Sequence, residues 1–173
     1  MKHNYSSEYS KVIIKPLKID QIEGLRTIRN KLENRVWFIN SSEISQNDQQ
    51  NWFKKYLEVN NDFMFSIYLR DNPKLFIGAV GIYNVDFVSL TAEFGRIVID
   101  KSRIIEKGIG RDATISALKF GFKVLKLDSI YLEVYRENYR AINMYHSVGF
   151  EDIDNNNKSD LIRMEIANRK FIF

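Results

Sequence analysis

The most informative stretch of this sequence includes the loop Glu106-Lys107-Gly108-Ile109-Gly110-Arg111, which follows an apolar strand and opens a helix. A second block, about 30 residues later, reads Asn138-x-x-Ala141-x-x-x-Tyr145-x-x-x-Gly149-Phe150. Two glycines one residue apart at a strand-to-helix turn leave backbone N–H groups free to bind phosphate oxygens. Asn138, Ala141, Tyr145 and Gly149 share one helical face because of their spacing. The two blocks together predict a phosphate-binding turn and a helix with a polar, aromatic face.

Around these two blocks, the apolar pattern predicts strands and helices in this order: one strand, two helices, three strands, a helix, a strand, a helix and one or two strands. The expected strands are 11–17, 63–69, 75–85, 92–99, 129–134 and a final region, 160–173. Asp20 is the expected N-cap of the first helix, and Ser45-x-x-Asp48 has the form of a capping box for the second. Helices are also expected over 110–126 and 138–148, and the asparagines 155–157 are expected to form a turn.

The glycine loop and the second block resemble the GNAT superfamily of acetyl-CoA-dependent N-acetyltransferases, most firmly over residues 92–150. The resemblance implies an α/β fold in a single domain spanning residues 1–173. Its sheet is expected to be mixed, mostly antiparallel and twisted. It should splay open at its centre, between the fourth and fifth strands, and be flanked by about four helices.

The resemblance also implies acetyl-CoA as co-substrate and no metal. Amides of the loop would bind the pyrophosphate, with Lys107 and Arg111 as charged donors. The strand 92–99 would pair with the pantetheine, and the amide near Val98 would polarise the thioester carbonyl. The family usually has Gln or Arg at the position of Ile105, so only the backbone contact is expected there. The implied cofactor-binding residues are Ile97, Val98, Ile99, Ile105, Glu106, Lys107, Gly108, Ile109, Gly110, Arg111, Asn138 and Tyr145.

Two residues are implied to be catalytic. Tyr145 matches the family's tyrosine that protonates the departing thiolate, and the alternative is a tyrosine that only packs on its helix. Glu93 begins the strand where several family members carry a carboxylate that deprotonates the amine through water, since an attacking amine must be neutral. The alternative for Glu93 is an exposed strand-end glutamate, with Tyr83 and Asp86 as the next candidates for the base.

Arginines and aromatic residues cluster in the two-helix region, which in this fold covers the acceptor cleft. The pattern Arg29-Asn30 … Arg35-x-Trp37 … Trp52-Phe53 resembles the branch that acetylates nucleotide-linked amino sugars and, less closely, the ribosomal-protein and polyamine branch. Arginines suit a diphosphate, whereas a polyamine site should be acidic. A nucleotide-activated amino sugar is therefore the favoured acceptor. A protein N-terminal amine, a small polyamine, a silent acyl-CoA-binding module and plain core packing of the aromatic residues remain alternatives. The expected substrate-binding residues are Arg29, Asn30, Trp37 and Tyr83.

The composition excludes other mechanisms. The chain has no cysteine, and its two histidines are His3 and His146, so a thiol nucleophile, a histidine triad or a metal cluster is not expected. Direct transfer in a ternary complex follows. The net charge of +4 is spread along the chain, which argues against nucleic acid as a partner. There is no apolar run long enough for a membrane span and the first ten residues are too polar for a signal peptide, so a cytoplasmic location is expected. A homodimer is compatible with these features.

Overall fold

A computed structural model of the chain describes residues 2–153 and 159–173. Its eight-stranded sheet has the order β1-β2-β3-β4-β5-β6-β8-β7. The strands are β1 (Ser7–Tyr9), β2 (Val12–Pro16), β3 (Phe63–Leu69), β4 (Phe76–Asp86), β5 (Thr91–Ile99), β6 (Ser129–Tyr135), β7 (Glu151–Asp152) and β8 (Leu161–Ala167). The α-helices of the described residues are α1 (Ile22–Asn30), α2 (Leu32–Arg35), α3 (Gln46–Glu58), α4 (Ile109–Lys119) and α5 (Tyr139–Val148).

The sheet opens between β5 and β6. These two strands are parallel, and they pair only where Thr91, Ala92 and Glu93 face Ser129, Ile130 and Tyr131. Both strands continue beyond these pairs, so they separate and leave a cleft between them. The other neighbouring strands pair antiparallel. The expected mixed, mostly antiparallel α/β sheet with a central splay is confirmed.

Helices cover both faces of the sheet, and this explains why β3 is buried along its whole length. Phe65 and Ile67 face the larger core, which also contains the apolar sides of α4 and α5. Met64, which precedes Phe65 and points to the opposite side of the strand, faces a second core with α1 and α3. Arg29, near the end of α1, lines the cleft that opens at the splay.

Several element boundaries differ from the sequence prediction. Asp20 does not cap α1, because a 3₁₀ turn at Ile19–Gln21 precedes the helix and the Gln21 side chain accepts from the Lys18 N–H. The helix expected over 110–126 ends as α4 at Lys119 and continues as a π-helical turn, Phe120–Val124. β1 was not expected, and a turn with Ser10 at φ 48° joins it to β2.

Three further expectations concern the cap of α3, the turn at 155–157 and a membrane-spanning helix. Ser45 caps α3 as expected, since its side chain accepts from the Asp48 N–H. The asparagine turn at 155–157 lies outside the described residues. Of the helices in the described part of the chain, none is long and apolar enough to cross a membrane.

Candidate active site

The splay between β5 and β6 opens into a cleft of about 600 Å³, which α2, the start of α4 and α5 also border. Most of the residues singled out in the sequence line it: Arg29, Trp37, Tyr83, Glu93, Ile97, Val98, Ile99, Gly108, Gly110, Arg111, Asn138 and Tyr145. Residues far apart in sequence therefore meet at one site. The side chains of Asn30, Ile105, Glu106, Lys107 and Ile109 lie outside this lining.

The glycine turn at the start of α4 presents unpaired amides to the cleft. Gly108 is the N-cap, and its φ of 89° is a left-handed conformation that favours glycine. The first intrahelical contact is the Asp112 N–H to the Gly108 carbonyl oxygen at 2.9 Å. The preceding amides of the turn, those of Gly110 and Arg111, have no backbone acceptor among the described residues, as expected for a helix start. A Cβ on Gly110 would meet only Ile99 Cδ1, at 3.7 Å, so no protein atom closes off this surface.

The side chains of the remaining loop residues, Ile105, Glu106, Lys107 and Ile109, do not line the cleft. The Ile105 side chain is exposed, and that of Ile109 is buried in the larger core. The Lys107 carbonyl oxygen accepts from Lys11 Nζ at 3.3 Å. Of the two cations expected to reach phosphate, Arg111 lines the cleft and Lys107 does not, whereas Lys101, which the sequence did not single out, does.

A β-bulge in β5 exposes strand backbone beside the cleft. Gly95 faces Gly81 and Val98 faces Ala79 in the β4 ladder, so two residues, Arg96 and Ile97, span the place of one. Arg96 has a φ of 51°. Because β6 has already separated from this part of β5, the cleft side of β5 has a free edge that an extended ligand can pair with.

Glu93 is held by two donors on β4. The Tyr83 hydroxyl donates to Glu93 Oε1 at 2.7 Å, and Asn84 Nδ2 donates to Oε2 at 2.9 Å. Consecutive strand residues normally point to opposite faces, but Asn84 has a φ of 50°, which breaks the alternation. No sequence pattern signals this contact. The result is a carboxylate fixed at both oxygens and still able to accept from a water or an amine.

The environment of Tyr83 keeps its hydroxyl protonated. Burial first, and then the hydrogen bond to Glu93, raises the pKa of the Tyr83 phenol well above its usual value of 10. Tyr83 is therefore a hydrogen-bond donor rather than a base in this arrangement. The other alternative base, Asp86, accepts the N–H groups of Val88 and Ser89 in a turn and does not line the cleft.

Tyr145 lies on α5 with 7% of its surface exposed. Its ring packs against Phe94 and Phe150, and its hydroxyl has no hydrogen-bond partner within residues 2–153 and 159–173. Burial raises the pKa of this phenol, so it is protonated at neutral pH. Asn138 caps the same helix by accepting the Ala141 N–H at 3.2 Å.

The arginines of the acceptor region are mostly engaged within the protein. Arg29 is 9% exposed, stacks 3.7 Å from the Phe38 ring centroid and donates through Nη2 to the Asn40 carbonyl oxygen. Its Nη1 has no partner within the described residues. Burial, and then the nearby Arg35, lowers the pKa of Arg29.

Two further arginines of this region bind carboxylates. Arg26 pairs with Glu23 at 2.6 Å, and Arg35 pairs with Glu43 at 3.5 Å. Asn30 is engaged as well, because its side chain both donates to and accepts from the backbone of Ile44, at 2.8 and 2.9 Å. It therefore ties α1 to the segment before α3 rather than facing the cleft.

Trp37 is different, since it lines the cleft with 45% of its surface exposed. Three carboxylates line the same cleft, at Glu33, Glu93 and Glu133. Glu33 lies in the two-helix region, which stood out in the sequence for its arginines and aromatic residues. Across the described part of the chain, no group of three or more His, Asp or Glu side chains is arranged to hold a metal ion.

Comparison with known proteins gives the family. A family model described as an acetyltransferase (GNAT) domain matches residues 11–151. The chain belongs to this GNAT family. It is an acetyl-CoA-dependent N-acetyltransferase, as the glycine turn, the open edge of β5 and Tyr145 lead one to expect.

The GNAT relatives that match in sequence include spermidine N(1)-acetyltransferases. The protein from Vibrio cholerae is 29% identical over 160 residues, covering 86% of this chain and 90% of that one. The protein from Escherichia coli K12 is 27% identical over 140 residues, covering 80% and 72%.

Solved GNAT structures share the fold. The Vibrio cholerae spermidine N-acetyltransferase in complex with CoA and spermine superposes with a TM-score of 0.81 at 24% identity, over 94% of this chain and 98% of that one. FdhC, described as a nucleotide-linked sugar GNAT, gives a TM-score of 0.83 at 16% identity, over 97% and 93%. The two branches that the sequence resembled are thus both represented among the similar folds.

Proposed function

We propose that this GNAT enzyme binds acetyl-CoA and a primary amine in the same cleft and transfers the acetyl group directly between them. The observation that supports this most is that Glu93 and Tyr145 line the cleft that also contains the Gly108–Gly110 turn. The amine nitrogen forms a bond to the thioester carbonyl carbon, and the carbon–sulfur bond breaks. A protonated amine first loses one proton through Glu93 to water and so becomes able to attack. As the amide forms, the nitrogen loses a second proton to Glu93, and Tyr145 gives one to the departing thiolate. Exchange with water then restores the Glu93 carboxylate and the Tyr145 phenol.

The residues of the cleft fit acetyl-CoA as follows. The pyrophosphate would be bound by the free amides at the start of α4, with Arg111 and Lys101 as nearby cations. The pantetheine would extend along the free edge of β5, where the amide near Val98 would polarise the thioester carbonyl. Gly110 is suited to this because a side chain there would occupy the space in front of those amides.

Glu93 is the proposed general base. A protonated amine cannot attack, and a carboxylate within reach, or one water away, can accept its proton. Tyr83 and Asn84 fix the two carboxylate oxygens and so fix the direction from which the amine is deprotonated. A positioned group of this kind typically contributes a factor of about 10² to 10⁴ in rate.

Tyr145 is the proposed general acid. A buried phenol whose pKa is raised stays protonated until a strong base appears beside it. Burial disfavours the charged departing thiolate in the same way, which raises its basicity, so it can take this proton. The Tyr145 hydroxyl is available to it because no protein acceptor in the described residues competes for the proton.

We infer that the acceptor is a small polyamine. The curated sequence relatives act on spermidine, and this favours the polyamine alternative over the amino sugar that the arginine pattern suggested. The arginine objection to a polyamine is weaker for Arg26 and Arg35, because both are paired with carboxylates. Glu33 and Glu93 supply negative charge on the cleft wall for a second ammonium group and for the reacting amine.

A nucleotide-linked amino sugar is the second candidate. One observation favours it specifically: Arg29 Nη1 has no partner in the described residues, and Arg29 borders the cleft beside Trp37. A guanidinium with a free N–H suits a phosphate, and an indole suits a base. The similarity of the fold to FdhC is consistent with this.

An acceptor panel tests the proposal. Release of free CoA is measured with spermidine, spermine, UDP- and dTDP-linked amino sugars and a peptide with a free N-terminus. The polyamines should give the highest kcat/KM. Glu33→Gln should raise the KM for spermidine by about tenfold with the KM for acetyl-CoA unchanged, while Glu58→Gln, on the exposed side of α3, should change neither. A higher kcat/KM for the sugar nucleotides would contradict the polyamine assignment.

A similar Vibrio cholerae structure is described as dodecameric. We propose that this chain also self-associates, and light scattering at several protein concentrations tests this. A monomer at all concentrations would contradict it.

A further inference from the structure

Arg96 is held in an unfavourable backbone conformation by two side-chain contacts. It is a non-glycine residue with a φ of 51° at the bulge of β5. Such residues are strained and persist only where their surroundings hold them. The surroundings here are an ion pair of Arg96 Nη1 with Asp62 Oδ2 at 2.7 Å and the Tyr83 ring, whose centroid lies 3.9 Å from the guanidinium carbon.

Asp62 anchors this arrangement from outside the cleft. It lies in the short segment between α3 and β3, is 8% exposed and is not part of the cleft lining. Its carbonyl oxygen accepts from Lys2 Nζ at 2.5 Å, so its backbone is also tied down. Its Oδ1 has no hydrogen-bond partner among the described residues, and its Oδ2 is the oxygen that pairs with Arg96.

Tyr83 is confined on two sides. The Arg96 guanidinium lies over its ring, and Gly95 lies so close that a Cβ there would be 2.7 Å from the Tyr83 hydroxyl oxygen. The confined hydroxyl donates to Glu93 Oε1. Contacts therefore run without interruption from Asp62 through Arg96 and Tyr83 to Glu93.

We propose that Asp62 is a positioning residue for the transfer reaction, acting on the Glu93 carboxylate through Arg96 and Tyr83. This rests on the proposed role of Glu93 as the base. Asp62 fixes the Arg96 guanidinium, the guanidinium holds the Tyr83 ring against Gly95, and the ring sets the direction of the hydroxyl that orients Glu93.

Without the Asp62 carboxylate, the Glu93 carboxylate would be displaced but still present. A misplacement of about 1 Å in a catalytic group can cost up to about a hundredfold in rate. Asp62→Asn should therefore lower kcat by about ten- to a hundredfold. The KM for acetyl-CoA should stay near its wild-type value, because the glycine turn and Arg111 are remote from Asp62 in the contact chain.

A double-mutant cycle separates this role from general destabilisation. kcat is measured for the wild type, Asp62→Asn, Glu93→Gln and the double variant, with unfolding temperatures recorded for each. If Asp62 acts through Glu93, its replacement has little further effect once Glu93 is Gln. Equal fold-losses in both backgrounds would overturn the proposal. Glu8→Gln, which breaks an exposed ion pair with Arg70 at 3.8 Å, is the matched control and should keep wild-type turnover.

The cycle also distinguishes failure of the proposed base from failure of the positioning role. Wild-type turnover in Glu93→Gln would remove Glu93 as the base and the positioning role with it. A large loss in Glu93→Gln with an independent effect of Asp62→Asn would remove only the positioning role.

A second variant covers the case in which Asp62→Asn does not fold. Gly95→Ala leaves every charge in place and crowds only the Tyr83 hydroxyl. It should lower kcat in the wild-type background and have little further effect in Glu93→Gln. An unchanged kcat in Gly95→Ala would show that the Tyr83 hydroxyl does not position Glu93.

Discussion

The ring of Tyr145 meets the ring of Phe94 edge-on, with centroids 5.9 Å apart and planes at 79°. Phe94 belongs to β5 and Tyr145 to α5, so the contact joins the two sides of the splay. Phe150, whose ring centroid is 5.7 Å from that of Tyr145, completes the packing. The phenol is held by its ring, and its hydroxyl makes no hydrogen bond to a protein atom in the described residues.

Because the ring supplies the packing, Tyr145→Phe should keep the fold and lose the acid. We expect turnover to fall by roughly ten- to a thousandfold, with acetyl-CoA affinity nearly unchanged. Steady-state kinetics and calorimetric titration with acetyl-CoA measure the two quantities. Tyr139→Phe, an exposed tyrosine on the same helix, is the control. Wild-type turnover in Tyr145→Phe would leave Tyr145 as a packing residue only.

Gly110→Val should remove most of the rise in unfolding temperature that acetyl-CoA produces, because a ligand bound only to the folded state stabilises it by mass action. The protein itself leaves room for the added atoms, since the nearest contact for a Cβ is Ile99 Cδ1 at 3.7 Å. Gly110→Ala should give an intermediate shift. A full shift in a folded Gly110→Val protein would mean that the pyrophosphate binds elsewhere.

The sequence predicted the parts of the site that depend on local pattern. The glycine turn at Gly108, the cap at Asn138 and the spacing that brings Tyr145 to the cleft follow from rules within one element. The mixed, mostly antiparallel sheet and its central splay were implied by the resemblance and are confirmed.

The parts that escaped prediction depend on broken local patterns or on long-range contacts. Asn84 reaches Glu93 only because a positive φ interrupts the alternation of β4. Asn30 looked available for substrate, but it binds the backbone of Ile44, 14 residues away. Arg26 and Arg35 looked available for phosphate, because their partners Glu23 and Glu43 could not be assigned from sequence.

Trp37→Ala should raise the KM for the amine by about tenfold, which corresponds to about 1.4 kcal/mol, and leave the KM for acetyl-CoA unchanged. The half-exposed indole lines the acceptor side of the cleft and contributes little to the core. Trp52→Phe, in the second core, should instead lower the unfolding temperature with little change in either KM. An unchanged amine KM in Trp37→Ala would place the acceptor elsewhere.

His3 should make the protein less stable in acid. Burial is the main cause that lowers the pKa of His3 from 6.5 to about 4, and Nε2 contacts the Met64 carbonyl oxygen at 3.3 Å. Between these two values the unfolded chain binds a proton that the folded protein does not, so the free energy of unfolding falls as the pH drops from 6.5 to about 4.

Urea unfolding of the wild type and His3→Gln at several pH values isolates this contribution. The difference between their free energies of unfolding should change across that window and be constant above it. His146→Gln, at an exposed histidine, should retain the wild-type loss. A constant difference across the window would mean that His3 takes up its proton equally in both states.

Initial-rate kinetics test whether the acetyl group moves directly between two substrates bound in one cleft. Rates of CoA release are measured while spermidine and acetyl-CoA are varied together. We expect double-reciprocal lines that intersect, because both substrates must be bound before the acetyl group moves. Parallel lines, together with an acetylated protein formed from acetyl-CoA alone, would contradict it.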